Sequence, residues 1–366
     1  MDDLPQIPDG HLEDDFDFLR TLTIICSVAL FGALGFYTWM IYTGEISLVG
    51  PSALVLEKDE DFDSLIGYKP VSDLTGSGVD VCIVDSGIDM THRDLKNANL
   101  RAWSDLISGR DTPYDDNGHG TSMAGILVAD GGLKGMAIDV NLYIAKALTG
   151  NGEGDDETVG NAIEWCITQE VNIISLSLGG APSGLSVILG DDVEDAVDSA
   201  YDAGIVVVAA AGNDGEEDDG DLASPGIVST VICVGGVDVN GNLWSGSSIG
   251  DNNGRLLPPM FPRSSPNEKP EVVAPGHKVP VIMTGGSWGL SSGTSAATVY
   301  VTGAVALMFE NSPGLMDGGT DMLDDLKQWI VDSSLMRPGQ EDHDDHYGYG
   351  LLQVDALISA SQGDTT

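Results

Sequence analysis

Residues 79–89 read VDVCIVDSGID. The apolar run Val79–Val84 is strand-like and stops at a polar, glycine-containing turn, which places Asp85 just past the end of the strand. Four further runs of the same kind follow, at Asn141–Ala145, Asn172–Leu176, Ile205–Ala211 and Thr230–Val234. Helical patterns lie between them at His119–Asp130, Glu157–Gln169 and Val193–Ala203. Near-continuous apolar strands alternating with amphipathic helices predict an α/β fold: a doubly wound, mostly parallel sheet with helices on both faces. Two more helices, Asp321–Asp332 and Leu352–Ser361, are predicted to pack outside it.

In such a sheet, functional side chains gather at the carboxyl ends of the strands. Asp85 is one candidate, although a strand-terminal Asp more often just caps its turn. His119, in NGHGTSMAG, stands between Gly118 and Gly120 at a loop-to-helix transition, where the glycines allow backbone or substrate to come close. Asn213 follows the run VVVAAAG, and its amide can donate to an oxyanion or serve as a turn residue. Ser295 opens the segment GTSAATVYVTG, residues 293–303. A hydroxyl at a helix N-terminus is ordinarily a cap. Beside a base and an orienting carboxylate it can instead be a nucleophile, because the unpaired N–H groups there favour developing negative charge.

The motifs VDSGID, NGHGTSMAG, AAAGNDG and GTSAA, in that order, resemble those of the subtilisin-like serine proteases, the subtilases. THRDL, KALTGNGEG, SLSLGG, KPEVVAPG and GYGLLQVDAL agree, so the resemblance covers roughly residues 75–360. The order Asp, His, Ser is the one already known for subtilisins. The resemblance implies Asp85, His119 and Ser295 as the catalytic triad and Asn213 as oxyanion donor. It also implies that Ser177, Leu178, Gly179, Gly180, Ala210 and Gly212 bind an extended peptide and line the pocket for the residue before the scissile bond. Three places depart from the family pattern after the nucleophile, at Ala296, Val299 and Tyr300, and Ser122 stands where a second His is usual. None of these moves a proton, so altered packing rather than inactivity is predicted. A catalytically dead domain that binds peptides is the reading from a different class.

The remainder of the chain concerns location. Of 366 residues, 58 are Asp or Glu and only 15 Lys or Arg, a formal net charge of -43. Such a surface repels nucleic acid and itself unless salt screens it, and is read as adaptation to high salt. The chemistry needs no cofactor; structural calcium can coexist with the acidity. EDHDDHYGYG, residues 341–350, holds two His and several carboxylates and reads as an exposed loop rather than a metal site. Cys26, Cys82, Cys166 and Cys233 have no framework spacing, and no structural disulfide is predicted.

Residues 22–42, LTIICSVALFGALGFYTWMIY, carry no charge over about 21 positions and read as a single transmembrane helix. The predicted organisation is an acidic, disordered tail at 1–20, the span at 21–43, a linker at 44–74 and the peptidase domain at 75–362. Arg20 is the basic residue nearest the span and predicts a cytoplasmic tail with an extracellular domain. The predicted linker is too short for a folded prodomain.

Overall fold

The computed structural model describes residues 10–47, 49–179, 192–215, 222–250 and 263–363. Its centre is a seven-stranded parallel sheet formed by β2 (Asp80–Asp85), β3 (Asn99–Asp105), β4 (Asn141–Lys146), β5 (Ile173–Leu176), β6 (Val206–Ala210), β7 (Ile232–Val237) and β8 (Val272–Pro275), in the order β3-β4-β2-β5-β6-β7-β8. From β2 the chain goes to the edge strand β3, returns to β4 between them, then crosses β2 to β5 and runs through β6 and β7 to the other edge at β8. The carboxyl ends of β2 and β5 therefore flank a topological switch point, where connecting loops leave in opposite directions and open a crevice.

Side chains alternate across β2. Val81 and Ile83 join the core beneath α3 (His119–Val128) and α6 (Thr294–Asn311), while Cys82 and Val84 face α4 (Asp156–Thr168) and α5 (Asp192–Asp202). The sheet is thus covered on both faces, as the alternation of runs predicts. Helix α6 is buried from Thr294 to Phe309. An apolar helix belongs in a core or a membrane, and this one lies in the core, across β5 to β8. Helices α7 (Gly319–Ser333) and α8 (Val354–Gly363) close the outside.

Two expectations need correction. Cys82 and Cys166 form a disulfide, with an S–S distance of 2.02 Å and Cα atoms 6.0 Å apart. Eighty-four residues separate them along the chain, so sequence spacing hides the pair. The packing of α4 onto β2 is what brings the two buried thiols together. The second correction concerns the N-terminal region. Gly10–Arg20, read as disordered tail, continues helically into the apolar run as α1 (Gly10–Thr43).

Within the stretch read as a linker, Ile46–Ser47 and Ala53–Leu65 also carry structure. β1 (Ile46–Ser47) pairs antiparallel with β10 (Ser287–Ser291), which pairs in turn with β9 (Val279–Met283). α2 (Ala53–Leu65) begins at Ser52, whose hydroxyl accepts from Val55 N at 3.3 Å, and buries Val55 and Phe62, seven positions apart on one face. The segment Phe16–Thr43 of α1 is long and apolar enough to cross a membrane, and none of its apolar window is buried. The β9–β10 hairpin turns at Gly285 and Gly286, both at positive φ (78° and 83°), and β10 leads directly into Gly293 and α6.

Candidate active site

Asp85 is wholly buried at the end of β2. Its Oδ1 accepts from Ser86 N at 2.6 Å, and both carboxylate oxygens meet His119 Nδ1, at 2.8 and 2.9 Å. A buried carboxylate can only accept here, so Nδ1 carries a proton, and in the neutral ring Nε2 is the acceptor. Three glycines make this geometry possible. Gly118, at φ 100°, turns the chain into α3, and His119 is the first residue of that helix. A Cβ on Gly120 would fall 2.2 Å from the Gly87 carbonyl and 3.2 Å from Asp85 Cβ, while one on Gly87 would fall 2.0 Å from the Tyr114 carbonyl. Without side chains the three pack closely enough to seat the imidazole against Asp85.

The loop before His119 is held by Asp115, a residue not singled out in the sequence. It accepts from Ser86 Oγ (2.9 Å), Asn117 N (3.0 Å), Gly118 N (2.7 Å), Thr121 N (2.9 Å) and Thr121 Oγ1 (2.6 Å). Burial pushes this carboxyl up, but the donors outweigh it and hold Asp115 below the usual carboxylate range. For His119, burial acts to lower the imidazole, yet the charge and hydrogen bond of Asp85, with Asp115 behind, raise it above its ordinary value. The signal that could have exposed Asp115 is an Asp three residues before a left-handed glycine cap, a common carboxylate anchor.

Ser295 is the second residue of α6 and is 6% exposed. Its hydroxyl donates to Ser177 O at 3.0 Å, Ser177 Oγ donates back to Ser295 O at 3.0 Å, and no hydrogen bond joins it to His119 in this structure. The Ser295 amide belongs to the first turn of the helix, whose N–H groups have no intrahelical acceptor. Asn213 stands beside it. Its Oδ1 accepts from Thr294 N (2.9 Å) and Thr294 Oγ1 (3.0 Å), which fixes the amide orientation and leaves Nδ2 to donate elsewhere.

His119, Asn213 and Ser295 line one cleft of about 580 Å³, together with Ser177, Leu178, Gly179, Ala210 and Gly212. Asp85 supports His119 from below. Gly180 lies outside the described residues. Geometrically the cleft combines a hydroxyl at a helix N-terminus, an imidazole oriented through Nδ1 by a buried carboxylate, and a side-chain amide. That set suits acyl transfer. Lys146, also not anticipated, ends β4 and donates from its buried Nζ to Ser86 O (2.5 Å), Asp116 Oδ1 (2.7 Å) and Leu148 O (2.8 Å), bracing the loop that carries His119.

Among the described residues no group of three or more His, Cys, Asp or Glu side chains converges to hold a metal. In the 341–350 segment, His343 Nε2 lies 3.0 Å from Pro270 O and His346 lies 3.7 Å from Asp344.

Comparison with known proteins agrees with the geometry. Residues 76–350 match the model of the Subtilase family, Peptidase_S8. Subtilisin NAT of Bacillus subtilis subsp. natto is 33% identical over 288 residues, which cover 77% of this chain and 66% of that protein. Subtilisin DY of Bacillus licheniformis is 36% identical over 295 residues, covering 79% of this chain and 92% of that protein. Serine protease AprX of Bacillus subtilis (strain 168) is 34% identical over 268 residues, 66% of this chain and 59% of that protein. The chain spans about two thirds of the length of the first of these relatives. With the motifs, the sheet and the cleft in agreement with these matches, the chain belongs to the subtilase family.

Proposed function

We propose that this chain is a membrane-anchored serine endopeptidase, with residues 75–362 as its peptidase domain and residues 22–42 as a single anchor. Ser295 attacks the scissile carbonyl while His119 Nε2 accepts its proton and later delivers it to the leaving amine. Asp85 keeps the proton on Nδ1 and stabilises the imidazolium. The Ser295 amide and Asn213 Nδ2 stabilise the oxyanion, and water then hydrolyses the acyl-enzyme. For attack, the Ser295 hydroxyl rotates from Ser177 O toward His119; apo sites commonly hold such bonds loosely.

The observation that carries this reading is the two-oxygen contact of Asp85 with His119 Nδ1, in a cleft that His119 shares with Ser295. A fluorophosphonate probe tests it, since the probe reacts only with an activated serine. Labelling of the full-length protein that disappears in Ser295→Ala and falls strongly in His119→Ala is the expected result. A folded wild type that stays unlabelled would overturn the proposal and leave a peptide-binding domain in its place.

We read the acidic surface as fitted to high salt. Melting temperature should rise from low to molar KCl, and a flat response would remove that reading. The anchor places the domain outside the cell, which protease accessibility of intact cells tests directly.

A further inference from the structure

Ala223 lines the cleft, its Cβ 2.7 Å from where a Cβ on Gly179 would be and 3.2 Å from the same point on Gly212. Gly179 and Gly212 therefore form two walls, and the methyl of Ala223 fills the space between them. Beside it Ser224 lines the same cleft, and its hydroxyl donates to Glu194 Oε1 at 3.1 Å. A carboxylate can only accept, so the Ser224 proton is committed to Glu194 and its lone pairs remain for a donor arriving from the cleft. The other ionisable residues lining the cleft, apart from His119, are Glu153, Asp156 and Asp214; no Lys or Arg is among the described lining residues.

We infer that this cleft selects a lysine or arginine immediately before the scissile bond, with Ser224 and Glu194 as the residues that set the preference. The inference rests on the peptidase reading above and names its substrate class. The slim stem of a basic side chain runs along the Gly179 and Gly212 backbone beside the Ala223 methyl. Its cationic head donates to Ser224 Oγ, whose proton goes to Glu194, and meets no Lys or Arg among the described lining residues. Charge-assisted bonds of this kind are strong where water is partly excluded. A P1 carboxylate at Ser224 meets the like charge of Glu194 behind it, and a P1 aromatic ring meets the Ala223 methyl. A pocket built to pair a polar group discriminates more sharply than one that merely fits an apolar one.

The test uses fluorogenic peptides identical except at P1, carrying Lys, Arg, Phe or Glu, with the full-length protein in detergent at several KCl concentrations. Wild type is expected to cleave the Lys and Arg peptides with kcat/KM at least about 10-fold above Phe, and Glu least of all. Glu194→Gln and Ser224→Ala should each reduce the Lys/Phe ratio by about 10-fold. Ser224→Lys should move the preference toward Glu. Fluorophosphonate labelling of every preparation reports active, folded enzyme, so ratios are compared per labelled site. A labelled wild type that prefers Phe, or an unchanged Lys/Phe ratio in labelled Glu194→Gln and Ser224→Ala, overturns the pocket assignment and leaves the peptidase reading standing. Neither labelling nor cleavage of any peptide by folded wild type overturns both.

Discussion

Asp85 and Lys146 are register partners at the ends of neighbouring parallel strands, yet their charges turn away from each other. The carboxylate goes to His119, while the ammonium goes to Ser86 O, Leu148 O and Asp116 Oδ1. Lys146 thus ties the β2 turn, its own loop and the segment before His119 together without forming an ion pair with Asp85. Lys146→Met removes all three donations and leaves two buried carbonyls without this donor. A loss of about 2–4 kcal/mol in denaturant unfolding is expected.

Acid-side activity should follow His119. Burial lowers its imidazolium, but Asp85 and Asp115 raise it by more. The base must be neutral, so kcat/KM rises with pH through a value above the ordinary histidine value of about 6.5. Asp85→Asn removes the raising charge; the acid limb moves to lower pH and kcat falls by about 10⁴-fold, as known for loss of this carboxylate in a serine-protease triad. Stability has a matching sign. A raised folded value gives stabilisation that is full below the unfolded value and lost as pH rises through the folded one. Asp85→Asn should therefore cost more stability near pH 5 than near pH 9, which paired melts at the two values would check.

Why some of this was legible in the sequence and some was not follows from exposure and distance. β2, β4, β5, β6 and β7 sit inside the sheet and read as apolar runs because both of their faces are covered. β3, NLRAWSD, is an edge strand whose positions are all at least partly accessible, and no apolar run marks it. α2 carries five Asp or Glu residues in ALVLEKDEDFDSL and buries only Val55 and Phe62, so its helical face is hidden beneath its charge. Asp85, His119, Asn213 and Ser295 were visible because each stands at a glycine-marked turn with a chemistry-bearing side chain. Asp115, Lys146 and the Cys82–Cys166 pair act only through neighbours remote in sequence or through local amides, and no periodicity reports such contacts.

Asn213 has one observed contact and one proposed role, which substitution can separate. Its Oδ1 accepts from Thr294, and its Nδ2 is the donor assigned to the oxyanion. Asn213→Asp keeps the acceptor and loses the donor, whereas Asn213→Ala loses both. Each should lower kcat by about 10²–10³-fold with little change in KM, the size seen when a subtilisin loses its side-chain donor. Only Asn213→Ala should also lower the melting temperature, through the unpaired Thr294 amide. A KM effect without a kcat effect would assign Asn213 to ground-state binding.

The Cys82–Cys166 disulfide joins the strand that carries Asp85 to a helix on the far face of the sheet. Closing a long loop restricts the unfolded chain, and removing such a link commonly costs about 2–5 kcal/mol. The double variant Cys82→Ala, Cys166→Ala should lower unfolding free energy by that order. Its triad contacts remain, because Ser86, Asp115 and the α3 glycines hold them, so fluorophosphonate labelling at low temperature should persist.

Helix α2 supplies a pH dependence of opposite origin. Asp59 and Asp63, one turn apart on α2, share a small cavity with Lys134 and with Tyr300 of α6, whose ring also meets Phe62 at 6.5 Å between centroids. Burial first, then the neighbouring Asp63 charge, pushes Asp59 up to about 7. Burial also pushes Asp63 up to about 6, against the pull of Lys69 and Lys134 and with Glu60 adding to the rise. Carboxyls raised in the folded state bind protons more tightly there than in the unfolded chain. Stability therefore falls as pH climbs from about 4 to about 7, and the cost persists above that. Asp59→Asn keeps the shape and removes the charge. It should raise unfolding free energy at pH 8 by about 1 kcal/mol or more and change little at pH 4.5, where the wild-type group is already protonated in the fold. A gain of equal size at both pH values would show that α2 responds to packing at position 59 and not to its charge.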